Sequence, residues 1–191
     1  MMDDPIRIIP RIMSLTLENV GCWPLLHMEF HHGVNVITGE PGALGKTTIL
    51  KAILRGTWPS CDDGRLTPRD GSDEGGIGIE FAPRRTVLRR KRDRERPPGS
   101  ASRGSYGQKM LRHLRGRIDA AGEGDALLFD EEVLGRLDKP NCSKVAQWLN
   151  MTTAQVICVI KHLNRDDFPN ARIFSCSFDR DKEVARMRRL Q

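Results

Sequence analysis

A glycine-rich segment in the first quarter of the chain restricts the fold more than any other feature. It follows the apolar run at residues 34–38 and reads Gly39-Glu40-Pro41-Gly42-Ala43-Leu44-Gly45-Lys46-Thr47-Thr48, after which comes Ile49-Leu50-Lys51-Ala52-Ile53-Leu54. This order predicts a buried strand, a glycine-rich loop and a helix. Backbone N–H groups in such a loop can converge on a phosphate, because glycine places no side chain in the way. The segment therefore predicts a phosphate-binding loop.

Individual positions in this loop have separate expected roles. Lys46 is expected to reach the outer phosphates, and the hydroxyl of Thr47 is expected to ligate the magnesium ion between them. The positive end of the helix dipole points at the same place. Gly39 and Gly45 enclose five residues, one more than the usual pattern, so Ala43 or Leu44 is expected to bulge. We expect the extra residue to affect the rate of hydrolysis more than nucleotide binding.

Composition limits the class of protein. The 191 residues are 38% hydrophobic, with a mean hydropathy of -0.46, which predicts one globular domain with a real core. No apolar run reaches the roughly 18 residues that span a bilayer, and no signal peptide opens the chain, so direct membrane insertion is not expected. The five cysteines form no C-x-x-C pair, which favours a reduced, cytoplasmic compartment without a zinc site.

The remaining pattern predicts an α/β fold with a mainly parallel core sheet, because strands and helices alternate after the loop. Residues 1–11 are expected to be irregular, since Pro5 and Pro10 break a helix. The predicted strands are 12–19, 25–30, 34–38, 77–81, 86–88, 126–130, 155–160 and 171–178. The predicted helices are 46–56, 105–118, 143–150 and 181–190, and residues 57–76 are expected to form a surface loop.

Polar residues follow two of the predicted core strands. One strand ends at Asp130-Glu131, and the next is followed closely by His162. Because the carboxyl ends of parallel strands meet at one sheet edge, we expect these residues to lie beside Lys46. Asp130 would then hold magnesium through water, Glu131 would polarise the attacking water, and His162 would bond to the γ-phosphate. The alternative for Asp130-Glu131 is a cap after a core strand.

A basic segment lies in the middle of the chain. It begins at Arg84 and ends at Arg96, with eight basic and two acidic residues. The whole chain has a net charge of +6 and a pI near 9.3, which favours a polyanionic partner. The segment is interpreted either as a contact to DNA phosphates or as a solvated loop, since no aromatic residue is interleaved to stack on bases.

Taken together, these motifs resemble the ABC-type P-loop ATPases, and among them the DNA-maintenance branch of RecF and the SMC heads. The resemblance rests on order and spacing over most of residues 12–165. The matching segments are Leu15-Thr16-Leu17-Glu18-Asn19-Val20, Phe30, Gly33 to Glu40, Gly45 to Thr48, the Ser105-Tyr106-Gly107-Gln108-Lys109 signature, the Leu127-Leu128-Phe129-Asp130-Glu131 Walker B strand, the Gly135-Arg136-Leu137-Asp138 D-loop, and His162 as the switch histidine.

The resemblance implies a single ATPase domain with a mixed sheet, an N-terminal antiparallel β subdomain and a reduced helical lobe. Its parts would be residues 12–56 with Walker A, 57–103 with the basic segment, and 104–191 with the remaining motifs. ATP and Mg²⁺ would be the cofactors, held by residues 39–48. A second head would supply the signature residues Ser105, Gly107 and Gln108, with the D-loop Asp138, so that hydrolysis opens an ATP-gated dimer.

The chain departs from this family in three further places. The segment between Glu131 and Asp138 is one residue longer than usual. No glutamine lies between Lys46 and the basic segment to serve as a Q-loop, and the stretch from Lys46 to Asp130 is too short for a coiled-coil arm. The resemblance implies an ATPase acting with DNA in repair, recombination, mobile-element biology or antiviral defence, with a nuclease or a larger complex as a partner. Two alternatives stay open: the nucleotide-binding subunit of an ABC transporter, and a weakly hydrolysing nucleotide-dependent interaction subunit.

Overall fold

Two β-sheets and four α-helices build the protein. The computed structural model describes residues 6–39, 45–58, 66–83, 106–161, 163–182 and 184–190, with the side chains of Tyr106 and Glu131 left out. The strands are β1 (Ile6–Pro10), β2 (Ile12–Val20), β3 (Trp23–Glu29), β4 (Val34–Gly39), β5 (Gly76–Phe81), β6 (Asp125–Phe129), β7 (Gln155–Val159), β8 (Arg172–Asp179) and β9 (Val184–Arg189). The helices are α1 (Lys46–Thr57), α2 (Tyr106–Ala120), α3 (Glu131–Gly135) and α4 (Lys139–Met151), with a 3-10 turn at Arg165–Asp167.

The larger sheet is mixed and has six strands in the order β1-β6-β7-β4-β8-β9. Its four central strands β6, β7, β4 and β8 run parallel, whereas the edge strands β1 and β9 pair antiparallel. The predicted mainly parallel core sheet is therefore confirmed. Strand β4 lies inside this sheet, so the phosphate-loop segment leaves from the centre of the fold.

Successive residues of the central strands point to opposite faces, which gives the protein two hydrophobic cores. On one face, Ile37 and Ile157 pack with helix α1 and with the smaller sheet. On the other face, Val36 and Val156 pack with helices α2, α3 and α4. Buried on both faces, these strands are nearly continuous apolar runs, as parallel sheets require.

The smaller sheet is the predicted N-terminal antiparallel subdomain. Its order is β3-β2-β5, with both outer strands antiparallel to β2. The predicted strand at 77–81 is therefore real, but it pairs with β2, and the second arm of the predicted hairpin at 86–88 lies outside the described residues. Helix α1 packs between the two sheets, through Ile49, Ile53 and their neighbours.

Both ends of the chain differ from the sequence prediction. Residues 6–10 form an edge strand, because Ile6 and Ile9 are buried and Pro10 stands at its last position, where a missing N–H is tolerated. The predicted C-terminal helix at 181–190 is wrong, since Val184–Arg189 is a strand paired with β8. Its buried residue Ala185 and partly buried Met187 alternate with exposed arginines at a period of two, which the basic composition concealed.

Two buried amides join the elements at the amino-terminal edge of the larger sheet. The side chain of Gln155 accepts a hydrogen bond from the Ile12 N–H at 3.0 Å and donates to the carbonyl oxygens of Ile12 and His31 at 2.8 and 2.9 Å. Asn35 accepts from the His31 N–H at 2.9 Å and donates to the His31 carbonyl at 2.8 Å. Gln155 thus connects the two sheets directly.

Candidate functional site

The strand-to-loop junction of the candidate site is sterically specified. Gly39, the last residue of β4, has a φ of +155°, and a Cβ there would collide with the backbone carbonyl oxygen of Cys176 on β8. The chain leaves the sheet so close to its neighbour that only glycine fits. Residues Glu40, Pro41, Gly42, Ala43 and Leu44, predicted to hold phosphate, lie outside the described residues.

The loop returns at Gly45, which is held by the turn between β2 and β3. Gly45 has a φ of +115° and precedes α1. Its carbonyl oxygen accepts a hydrogen bond from the Trp23 indole N–H at 3.2 Å, and a Cβ at Gly45 would lie 2.8 Å from the Trp23 ring and 3.0 Å from Sγ of Cys22. Sequence reasoning missed this clamp, although a tryptophan at the start of a short strand was a visible signal.

The start of helix α1 has the features of an anion site. Among the described residues no side chain caps it, and its first turn contains no acidic residue, so the N–H groups of that turn and the positive end of the dipole point toward Gly45. Lys46 is only 3% exposed, whereas Thr47 is exposed and Thr48 packs 3.5 Å from a Cβ position at Gly21. Among the three predicted residues, Thr47 is therefore the one open to a ligand.

The carboxyl edge of the sheet brings Asp130 toward the loop. Phe129 of β6 is level with Cys158 of β7, and the next residue of β7, Val159, is level with Ile37 of β4. Asp130 therefore lies two strands from β4, about 10 Å across the sheet. Glu131 begins α3, and its side chain is not described; His162, just past the end of β7, lies outside the described residues.

Two thiols line the loop and remain protonated. Burial raises the pKa of Cys176 to about 11, although the positive charge of Lys46 lowers it. Burial also raises the pKa of Cys22. Neither cysteine therefore has the thiolate that nucleophilic chemistry needs.

The predicted signature and D-loop residues lie on the other face of the larger sheet, with α2 and α4. Gly107 and Gln108 are in the first turn of α2, and a Cβ at Gly107 would have no atom within 4 Å. Asp138 is the exposed N-cap of α4, where its Oδ1 accepts from the Asn141 N–H at 3.0 Å. Ser105 lies outside the described residues. Gly107, Gln108 and Asp138 are therefore separated by the sheet from helix α1, which follows the loop.

Two grooves in the described part of the chain lie elsewhere. One of about 610 Å³ runs between β3 and β9, beside Leu25 and Met187. Another of about 390 Å³ lies near Phe30 and Arg172, at the opposite edge of the larger sheet from Asp130. Neither groove is lined by Lys46 or Asp130, so the candidate site is defined by the loop and sheet edge.

Comparison with known proteins assigns the family. A family model described as an AAA domain matches residues 14–167, well over half of the chain. The chain belongs to this AAA domain family. No curated protein sequence matches this chain significantly. The match begins within β2 and ends after β7, so it covers the phosphate loop and the strand that ends at Asp130.

Solved structures give the same fold. The AAA domain is similar to an SMC head crystallised with the C-winged helix domain of ScpA, with a TM-score of 0.53, 14% identity, and coverage of 95% of this chain and 98% of that one. It also matches the SMC head domain from Thermotoga maritima, with a TM-score of 0.49, 14% identity, and coverage of 95% and 99%. The first likeness shows the fold. The expected fold of an SMC-like P-loop ATPase head is confirmed, and so is its mixed α/β class.

The oxygen atoms of two side chains at the candidate site suit a nucleotide-bound Mg²⁺ ion. Thr47 and Asp130 supply a hydroxyl and a carboxylate, which are hard oxygen ligands of the kind Mg²⁺ prefers. No group of three or more His, Cys, Asp or Glu side chains that could hold a metal occurs within the described ranges. Such an ion would need phosphate oxygens and water to complete its shell.

Within the described ranges, no helix has the length and apolarity to cross a membrane.

Proposed function

We propose that this AAA domain binds ATP with Mg²⁺ at the carboxyl edge of its larger sheet, hydrolyses it, and works as an ATP-gated dimer with DNA. The observation that carries the proposal is the exposed Thr47 in the first turn of helix α1, a turn without an acidic residue, with Asp130 at the same sheet edge. Both are provided by parallel strands of one rigid sheet, which favours a preorganised site.

Each residue of the proposed site has a distinct task. The backbone N–H groups of residues 39–48, other than Pro41, would surround the phosphates, and Lys46 would balance the charge of the outer ones. Thr47, and Asp130 through water, would hold Mg²⁺, which would supply positive charge to the phosphate oxygens. Glu131 accepts a proton from the attacking water, and His162 bonds to the γ-phosphate.

The proposed dimer is supported by the position of Lys46 and of the described signature residues on opposite faces of the larger sheet. The first turn of α2, with half-buried Gly107 and exposed Gln108 and with Ser105 before it, would meet the ATP of a second head, and Asp138 would lie beside it. A helix start supplies N–H groups to an anion. The SMC head of the comparison structure binds a winged helix domain, which supports a further protein partner for this chain, such as a nuclease or another subunit of a larger complex.

Charge supports DNA as the partner. The chain has a net charge of +6, and Arg84 and Arg96 bound a segment with eight basic residues. Basic segments neutralise phosphates and release counterions, so binding would weaken as salt rises. DNA would be expected to stimulate hydrolysis in low salt and to lose that effect in high salt.

Replacement of Lys46 tests the nucleotide site. Lys46→Ala is expected to reduce ATP hydrolysis about 100-fold, because a preorganised positive group at the phosphates is lost. The matched control is Lys51→Ala, which removes a lysine from the same helix more than one turn away. Radiolabelled phosphate release and filter-bound ATP are the two measurements.

The two measurements separate the outcomes. Equal ATP binding by the wild type and the Lys46→Ala variant would contradict the proposed site. Tight ATP binding by the wild type with no phosphate release, unchanged by Glu131→Gln, would instead favour a nucleotide-dependent interaction subunit, as the extra residue in the loop allows.

A further inference from the structure

Helices α2 and α4 share a surface where two cations converge on one tryptophan. The guanidinium carbon Cζ of Arg115 lies 5.2 Å from the centroid of the Trp148 ring, and Nζ of Lys144 lies 5.7 Å from it. Trp148 is partly exposed, and the side chain of Arg115 is 47% exposed. Trp148 packs against the core on this face, and both cations lie within cation–π distance of its ring.

The surroundings of this ring carry surplus positive charge. Helix α2 has four Lys or Arg residues against one acid, Asp119, and helix α4 has two lysines and no acid. Arg115 donates from Nε to Asp119 Oδ2 at 2.9 Å, which offsets one charge. Arg112 lies three residues before Arg115 and so on the same side of α2. A basic row therefore leads along α2 to Trp148.

Nearby acidic residues lie on another side of α4. Asp166 and Asp167 belong to the 3-10 turn, which contacts α4 through Asn150, whose Nδ2 donates to the Asp167 carbonyl oxygen at 2.8 Å. Asn150 is two residues from Trp148, and residues two apart in a helix do not share a face. These carboxylates therefore do not neutralise the positive charge on the side of α4 that carries Trp148.

We propose that the patch formed by Arg112, Arg115, Lys144 and Trp148 binds single-stranded nucleic acid. One base stacks on the indole, while phosphates of the same strand pair with the cations. Arg115 and Lys144 are long, exposed side chains, so either can leave the ring for a phosphate when a base replaces it. This inference deepens the proposed function and rests on it, because it takes nucleic acid as the partner.

The combination selects a single strand over other polyanions. The bases of a duplex are stacked within the helix and cannot reach an aromatic side chain without being unpaired. An acidic peptide would pair with the cations but would gain nothing from the aromatic face. Binding at this patch should therefore depend on both the ring and the charges.

Titration of labelled nucleic acid tests the patch. The probes are a fluorescein-labelled oligothymidylate of about 20 nucleotides, a duplex of equal length, and a polyglutamate peptide. Trp148→Leu in the full chain is expected to weaken single-strand binding about tenfold, as loss of one stacked base does. Combining Arg115→Gln with Lys144→Gln should lower the slope of log affinity against log salt by about 1.4.

Intrinsic fluorescence provides a second readout with a variant that retains an aromatic ring. The chain has three tryptophans, of which Trp23 is buried and Trp58 is 37% exposed. Oligothymidylate is expected to quench the emission, and Trp148→Phe should abolish that quenching. The matched control Trp58→Phe should leave it intact.

The outcomes are distinct. Unchanged single-strand affinity in the Trp148 and double-charge variants, while the wild type binds DNA, overturns this inference alone. Equal binding of polyglutamate through the same residues overturns it in favour of an acidic peptide. If the wild type binds neither single-stranded nor duplex DNA, the DNA part of the proposed function fails as well.

Discussion

At the scale of single residues, the glycines of the loop have two independent reasons for being glycine. The sequence identifies Gly39 and Gly45 as positions that let backbone approach a phosphate. The structure adds that Gly39 lies against the Cys176 carbonyl and Gly45 against Trp23. These neighbours come from distant parts of the chain, so no local pattern could have predicted them.

Substitution of Gly39 measures the steric reason. Gly39→Ala is expected to destabilise the fold by roughly 1–3 kcal/mol, because the residue has a positive φ and the new Cβ meets rigid backbone. Gly78→Ala is the control, since its Cβ would make only an ordinary 3.7 Å contact with Thr16. Urea unfolding of the two variants gives the comparison. Equal midpoints would show that the Cys176 carbonyl is not a constraint.

At the scale of elements, the sequence located the core strands and helices but mistook both ends of the chain. Apolar runs such as 155–160 are informative because strands buried on both faces need no alternation. Strands β1 and β9 are edge strands, and their partners β6 and β8 decide their conformation. From local composition, we predicted an irregular, proline-containing segment at the N-terminal end and a basic helix at the C-terminal end. Pairing with neighbouring strands makes both segments strands instead.

Helix α4 gives a test that separates stability from a role in the dimer. Asp138→Ala is expected to lower the free energy of unfolding by about 1 kcal/mol, because the Asn141 N–H loses its cap. Asp138→Asn keeps a good N-cap and should restore stability. If Asp138→Asn is as stable as the wild type yet impairs ATPase activity, the carboxylate acts at the dimer. Unchanged stability in Asp138→Ala would contradict the capping role.

At the scale of the whole molecule, the candidate site is divided between the two faces of the sheet. Lys46 follows the loop on the face covered by α1, whereas Gly107 and Asp138 belong to helices on the other. The sequence predicted this set from the resemblance and its spacing. Spacing along a chain does not indicate whether two motifs meet within one subunit or across two subunits. The sheet that lies between these motifs favours a meeting across two subunits.

Blocking hydrolysis tests that division. Glu131→Gln with ATP and Mg²⁺ is expected to elute as a dimer in gel filtration, because ATP is bound but not cleaved. Adding Lys46→Ala to the same chain should return it to a monomer, since the bridging nucleotide is lost. A monomeric Glu131→Gln protein that still binds ATP would contradict the clamp.

Gln155 has a mechanical consequence. Its amide fastens the backbone of β2 and of the turn after β3 to the first residue of β7, at the end of the larger sheet remote from the loop. These hydrogen bonds join the two sheets at that end, and the hydrogen bond from Trp23 to Gly45 joins the smaller sheet to the start of α1 at the other. We therefore expect that triphosphate binding leaves the two sheets together and moves them as one rigid unit relative to partner proteins.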